Sequence, residues 1–429
     1  MAASPALPAG AAGDAPEQRR TLVVLVCAQI LSGAGLAAGI TVGALLAQEM
    51  LGSTSLAGVP STLFTLGSAL AAVFIGVASG RSGRRVGLAA GYAVGALGSL
   101  GVIVAAVTDS SLLLFASLFV YGAGSAANLQ ARYAGADLAA PPRRARALST
   151  VLVATTVGAV VGPTLTGLTG DMAVDGGLPR LAGPFVLATV AYSCAALVLW
   201  IFLRPDPLLR ALAISRDDVT GTAGDPGRSS DPVAAPGTAT APSTVTARNR
   251  GVALGATVMV VTQIVMVAIM TMTPVHMAHH GHVGAVGLVI AIHVGAMYLP
   301  SPLSGRLVDR HGPRTVAVLA AVTLLGAGLV AAVSGSSVVL VAIGLALLGL
   351  GWSLGLVAGT TLVTDAAPLA TRARTQGRVD VLVALAGAAG GALSGVVVAG
   401  ASYTGLALGG GVLALVLVPV VARGGRPRP

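Results

Sequence analysis

Twelve apolar runs, each near the roughly twenty residues that a helix needs to cross a hydrocarbon core, take up most of this 429-residue chain. They lie at approximately 21–47, 57–80, 86–107, 111–138, 147–169 and 181–203, then at 250–275, 284–305, 315–334, 337–364, 379–399 and 402–422. Lipid offers no water to satisfy backbone N–H and C=O groups, so such runs are confined to helices that close their own hydrogen bonds. The pattern predicts an all-α integral membrane protein with twelve transmembrane helices.

The second six runs repeat the first. Gly76, Gly83 and Arg85 recur 229 residues later as Gly305, Gly312 and Arg314, and Asp137, Arg144 and Arg146 recur 228 residues later as Asp365, Arg372 and Arg374. Gly162 and Gly167 likewise precede Gly390 and Gly395. A period this long is no solenoid repeat; it implies two equivalent six-helix bundles, an arrangement typical of transporters. Residues 205–249 between them mix Pro, Gly, Ser, Thr and Asp and read as a flexible linker, with Leu208 to Ile214 as a candidate amphipathic piece. The expected organisation is a tail over 1–20, bundles over 21–204 and 250–422, that linker, and a tail over 423–429. The first run, preceded by Arg19 and Arg20, is longer than a signal-peptide core and is expected to stay as an anchor.

With 55% hydrophobic and 9% charged residues, the chain cannot cover a soluble surface. A net charge of +10 would suggest nucleic acid in a soluble protein, but here the charges fall in short loops and report orientation. Arg81, Arg84 and Arg85, then Arg143, Arg144 and Arg146, then the linker, Arg306, Arg310 and Arg314, Arg372, Arg374 and Arg378, and finally Arg423, Arg426 and Arg428 all fall on alternate loops. The opposite loops carry Glu49, Asp109, Asp171, Asp175 and Arg180. The positive-inside rule then places both termini and the linker in the cytoplasm. All 25 basic residues are Arg, and the abundance of Ala, Gly and Val suggests a GC-rich bacterial genome, hence a bacterial cytoplasmic membrane. Cys27 and Cys194 sit inside apolar runs and read as packing residues.

Two motifs give the chain a resemblance to the major facilitator superfamily of secondary transporters, covering nearly everything outside the tails and linker. That family carries G-x-x-x-D-R-x-G-R-R between helices 2 and 3. Gly76, Arg81, Gly83, Arg84 and Arg85 match it, with Gly80 in place of the Asp, while Gly305, Asp309, Arg310, Gly312 and Arg314 keep the Asp in the second half. The resemblance implies a gate on the Arg-rich side, with Asp137 a candidate substitute partner for the first Arg cluster and Asp365 its counterpart. The alternative is that these arginines merely fix topology. Gly158, Gly162, Pro163 and Gly167 in span 5 look like the family's antiporter signature G-x-x-x-G-P-x-x-x-G, which implies export; ordinary close helix packing explains the same residues. Span 4 departs from the exporter pattern, because Leu118 stands where many relatives carry an Arg, and Arg132 lies deeper. Arg132 reads as a partner of Asp137, as a residue snorkelling to the headgroups, or as a substrate contact.

Few ionisable groups lie at membrane depth. His293 in span 8 is a proton-coupling candidate, since imidazole titrates near pH 6.5, or a neutral His bonded to a neighbouring helix. Glu49 at the outer end of span 1 is the second proton candidate, or a solvated surface group. Gln29, Asn128, Gln130, Gln263 and Tyr298 are candidates to line a central cavity or to bond helix to helix. His276, His279, His280 and His282 stand beside Met270, Met272 and Met277; no thiolate or carboxylate completes a metal set, so a pH-sensitive outer gate is preferred and no metal or cofactor is expected. Neither a Walker-type phosphate loop nor H-E-x-x-H occurs, so neither ATP use nor an enzyme is expected. The resulting expectation is a monomeric proton antiporter that exports small lipophilic or amphiphilic compounds by alternating access. An uptake symporter or facilitator is the alternative; metal-ion transport and a non-transporting sensor stand behind it.

Overall fold

The computed structural model describes residues 16–51, 59–222 and 242–423. Most of the 1–20 tail, the middle of the linker, and all but the first residue of the 423–429 tail lie outside these. Helix α1 spans Pro16–Leu51, α2 Val59–Ser82, α3 Arg84–Val107, α4 Ser111–Ala136, α5 Arg144–Thr164 continued by Thr166–Asp175, and α6 Gly183–Phe202. In the second half α7 spans Pro242–His279, α8 Val286–Tyr298 continued by Ser301–His311, α9 Pro313–Ala332, α10 Val338–Ala366, α11 Arg372–Gly400, and α12 Tyr403–Ala414 continued by Leu417–Arg423. Eleven segments among the described residues are long and apolar enough to cross a membrane. The segment left over is α5, which still carries the chain back between α4 and α6. The chain is a multi-pass membrane protein with the expected two-bundle architecture.

Several helices run beyond their apolar cores. α11 starts at Arg372 and α7 at Pro242, so Arg372, Arg374 and Arg378, expected in a loop, occupy the first turns of α11. Apolar character marks only the hydrocarbon-facing length of a helix; the backbone keeps its own bonds into the headgroup region. Within the segment expected as flexible linker, Pro207–Thr222 is helical and takes in the candidate piece Leu208 to Ile214. Its start is held by Asp206, whose carboxylate accepts from Leu208 and Leu209 N–H at 3.0 and 3.2 Å and from Arg85 N–H at 2.7 Å. One side chain thus satisfies the N-termini of two helices and docks the linker helix on the first bundle.

The two halves obey one design at atomic detail. Gly83 (φ 92°, ψ 166°) joins α2 to α3, and Gly312 (φ 82°, ψ 153°) joins α8 to α9, a left-handed turn that favours glycine. Ser110 caps α4 and Ser337 caps α10, each accepting the N–H three residues on. A Cβ on Gly76 of α2 would lie 2.9 Å from the Ala373 carbonyl of α11, and one on Gly305 of α8 would lie 2.7 Å from the Ala145 carbonyl of α5. These pairs exchange under the same repeat offset, so a pseudo-two-fold axis passes between the bundles, with α2 against α11 and α5 against α8.

Each bundle buries its own core. In the first, the Tyr121 ring packs tilted or edge-on against Phe64, Phe185 and Tyr192 at 5.5 to 5.7 Å. Phe74 and Leu97 face outward, 64% and 65% exposed, because the surrounding solvent is lipid rather than water.

Candidate functional site

At the pseudo-two-fold axis the charged residues meet. Arg132, on the last turns of α4, and Thr360 of α10 are repeat equivalents, and the Arg132 guanidinium donates from Nε to Thr360 Oγ1 at 3.2 Å. Arg132 Nη2 donates to Asp380 Oδ1 of α11 at 2.7 Å and to Tyr133 Oη at 3.0 Å, Tyr133 donates to the same Oδ1 at 3.0 Å, and Nη1 donates to the Leu129 carbonyl. The side chains of the ion pair are 1% and 5% exposed. Two buried charges are tolerable only when paired and hydrogen-bonded, and this pair can exist only while the halves touch. Asp380 Oδ2 is buried and makes no hydrogen bond.

This arrangement corrects two readings of Arg132. It neither snorkels nor pairs with Asp137, because α11 brings a nearer carboxylate from the other half. Asp137 instead binds Arg84 (Nε to Oδ2, 2.8 Å), and Arg84 reaches Gln376 of α11 at 2.5 Å.

Around the axis stands a ring of contacts on the Arg-rich side. Arg144–Asp365 at 2.8 Å and Arg372–Asp137 at 3.9 Å are repeat equivalents, each crossing from one half to the other. Asp309 on α8 accepts from Ala145 and Arg146 N–H, both at 3.1 Å, capping the N-terminus of α5. At the equivalent corner, Gly80 offers no carboxylate to the start of α11, where Thr371 makes no side-chain cap. Arg85 lies 4.9 Å over Trp200, and Arg81, Arg310 and Arg314 are exposed at the ends of their helices. The half of α8 away from the Arg-rich side contributes none of these ties, so among the described residues the halves are joined through polar groups on the Arg-rich side.

The polar cavity candidates divide into two groups. Gln29, Asn128, Ser32, Tyr92 and Thr155 saturate one another inside the first bundle: Gln29 Nε2 donates to Thr155 Oγ1 at 3.0 Å, Tyr92 donates to Gln29 Oε1 at 2.6 Å, and Asn128 donates to Ser32 at 2.8 Å. Gln130 donates to the Ala72 carbonyl at 2.8 Å. Gln263 and Tyr298 are only half-buried; Trp352 donates to Gln263 Oε1 at 2.8 Å, and Tyr298 meets Trp352 edge-on at 5.5 Å. Tyr298 also lies within electrostatic reach of Arg132, which places this aromatic and amide cluster beside the axis.

His293 is fully buried, with Nδ1 donating to the Leu345 carbonyl at 2.8 Å, so it packs between α8 and α10 of one bundle. Glu49 is exposed near the C-terminal end of α1. At the C-terminal end of α7, His276 donates to the Gly335 carbonyl at 2.9 Å and stacks on Tyr403 at 4.1 Å, while His280 donates to the His276 carbonyl. His279 is exposed and His282 half-buried, and no cluster of three metal-ligating side chains occurs among the described residues. In α5, a Cβ on Gly158 would collide with the Ile30 carbonyl of α1, whereas one on Gly167 would meet nothing within 4 Å; Gly162 is buried, and the side chain of Pro163 lies outside the described residues. A cleft of about 520 Å³ between α7 and α11, lined by Arg248 and Arg378 among others, belongs to the second bundle alone.

Asp380, Tyr133 and Gln376 escaped the sequence reading. Asp380 carried one usable signal, an acid on the edge of an apolar run next to three arginines, masked because that run was started at 379.

Known proteins share this architecture. The sequence model of the Major Facilitator Superfamily matches residues 25–282 and 255–429. The MFS-type transporter YdeG of Bacillus subtilis (strain 168) is 56% identical over 405 residues, spanning 94% of this chain and 91% of its own length. The riboflavin transporter RfnT of Brucella anthropi is 31% identical over 373 residues, spanning 86% and 87%. Among solved structures, the proton:xylose symporter XylE bound to 6-bromo-6-deoxy-D-glucose superposes with a TM-score of 0.72 at 14% identity, covering 96% of each chain. A paired-bundle fold, its duplicated Gly and Arg turns and matches of this extent make the chain a transporter belonging to the major facilitator superfamily.

Proposed function

We propose that this transporter exports small amphiphilic, ring-bearing organic compounds across a bacterial cytoplasmic membrane in exchange for protons, working as a monomer by alternating access. The observation that carries the reading is the cross-half polar seal on the Arg-rich side, centred on a buried Arg132–Asp380 pair that is complete in one arrangement of the bundles and must separate in the other. The positive-inside rule assigns that side to the cytoplasm, so the described conformation faces outward. Trp352, Tyr298 and Gln263 supply two aromatic faces and an amide beside the axis, a chemistry suited to a flat ring with some polar edge. The tight α1–α5 contact at Gly158 and the interruption of α5 at Leu165 support export, through the resemblance to the antiporter motif.

Uptake of such a solute is the second reading, favoured by the similarity to RfnT, a riboflavin transporter. The two separate in inverted vesicles holding the purified chain, given fluorescent lipophilic dyes and riboflavin under an imposed proton gradient. Dye accumulation that collapses with the gradient supports export. Riboflavin flux in the opposite sense, with no dye movement, supports uptake.

A further inference from the structure

We propose that Asp380 is the proton-carrying residue of this transporter, and that its protonation releases the Arg-rich seal. The inference rests on the alternating-access reading above.

Three observations carry it. First, Asp380 is the acid buried at the pseudo-two-fold axis, and its partner Arg132 comes from the other half, 248 residues away, so the pair reports directly on whether the halves are closed. Second, the repeat equivalent of Asp380 is the buried Leu152, and that of Arg132 is Thr360; the pair has no counterpart under the repeat and is beyond what the common architecture requires. Third, its carboxylate is half satisfied. Oδ1 receives both Arg132 and Tyr133, while Oδ2 is buried without a hydrogen-bond partner and is the atom to which a proton adds.

The surroundings set how the charge behaves. α4 faces Asp380 with Arg132 and Tyr133, and α3 adds the more distant Arg84, itself occupied by Asp137 and Gln376. α10 contributes the neutral Thr360 next to Arg132 and, at its end, Asp365, which is taken by Arg144. Tyr298 of α8 lies near Arg132; α7 carries no ionisable side chain between Gly251 and Val275. From α2 the nearest charge is the exposed Arg81, and α12 carries Tyr403 at its far end. On α11 itself, Arg372 faces Asp137, and Arg374 and Arg378 are exposed. Among the described residues no second acid pairs with Arg132.

The step is simple in its balance. With Asp380 ionised, the charge-assisted bond to Arg132 holds the halves together. A proton from water on the outer side adds to Oδ2, the carboxyl becomes neutral, and the Arg132 attachment weakens to an ordinary hydrogen bond. The halves then part on the Arg-rich side, and the proton leaves to water there as the ionised form is restored for reclosure.

The test needs no substrate. Hydrogen exchange of the full-length chain in lipid nanodiscs, corrected for intrinsic rates, is followed over the Arg-rich ends of α4 and α11 from about pH 5.5 to about pH 8.5, where a one-proton switch changes the open fraction by up to roughly tenfold per pH unit. Protection in the wild type falls on acidification. Asp380→Asn gives low protection there that no longer varies with pH while keeping wild-type protection in the middle of α9, which shows that the variant is folded, and Asp380→Glu restores the dependence with a displaced midpoint. Retention of the wild-type profile by Asp380→Asn overturns the assignment, as does loss of the profile in His293→Gln with Asp380 intact. A seal that stays closed at every pH in all variants, Asp380→Asn included, removes the alternating-access reading itself.

Discussion

Where α8 meets α5, Asp309 caps the start of α5 with two backbone hydrogen bonds; where α2 meets α11, the equivalent position is Gly80 and the start of α11 goes without that cap. The two corners share the same glycine approach, Gly305 on Ala145 and Gly76 on Ala373, and the same crossed ion pairs. They differ in which one is latched. A helix N-terminus presents unsatisfied N–H groups and a partial positive charge, so a carboxylate there ties the halves together without a second side chain. The α2–α11 corner replaces that latch with the deeper Arg132–Asp380 pair, which is buried and titratable. One corner is therefore held by a helix cap, and the other by the pair whose protonation starts the opening of both.

The largest effect should come from breaking the buried pair on one side only. Arg132→Ala leaves Asp380 uncompensated and is expected to cost about 3–5 kcal/mol, seen as a lowered melting temperature in detergent, whereas Arg132→Met with Asp380→Leu recovers most of it. A single variant no worse than the double would show that the pair is not an isolated buried unit. Asp309→Ala removes the α5 cap, about 1 kcal/mol, and should raise exchange at the start of α5 several-fold with no change in its pH dependence. Gly80→Asp is the reciprocal change. The nearest atom to its new Cβ is the flexible Arg374 side chain at 3.3 Å, so a carboxylate can reach the α11 terminus and favour closure by about 0.5–1 kcal/mol, read as increased protection there. The smallest effect belongs to Arg144→Gln. Its pair with Asp365 is partly exposed, 22% and 45%, so the change should stay below about 1 kcal/mol and vanish at high salt, unlike the effect of Arg132→Ala.

The glycine turns show why some of the site was legible in the sequence. Gly83 and Gly312 occupy the same left-handed conformation, a demand so local that residue type and spacing reveal it without any knowledge of neighbours. Arg132 shows the opposite. Its partner was sought at i+5, because sequence distance is all that a linear reading offers, and the actual partner lies on α11. Gln29 and Asn128 illustrate a third case: recognised as polar groups in apolar helices, they meet each other inside one bundle rather than facing a cavity, and only packing distinguishes these outcomes.

The amino-acid sequence by itself determined the helices, their approximate ends, the duplication and the family resemblance, because lipid forces each backbone to close its own bonds and each apolar span to declare itself. Tertiary structure alone decided which charges meet. Asp380 and Arg132 belong to different halves, and only the docking of α11 against α2 and α4 brings them within 2.7 Å, excludes water from both, and turns two ordinary residues into a pair whose cost when unmatched is large.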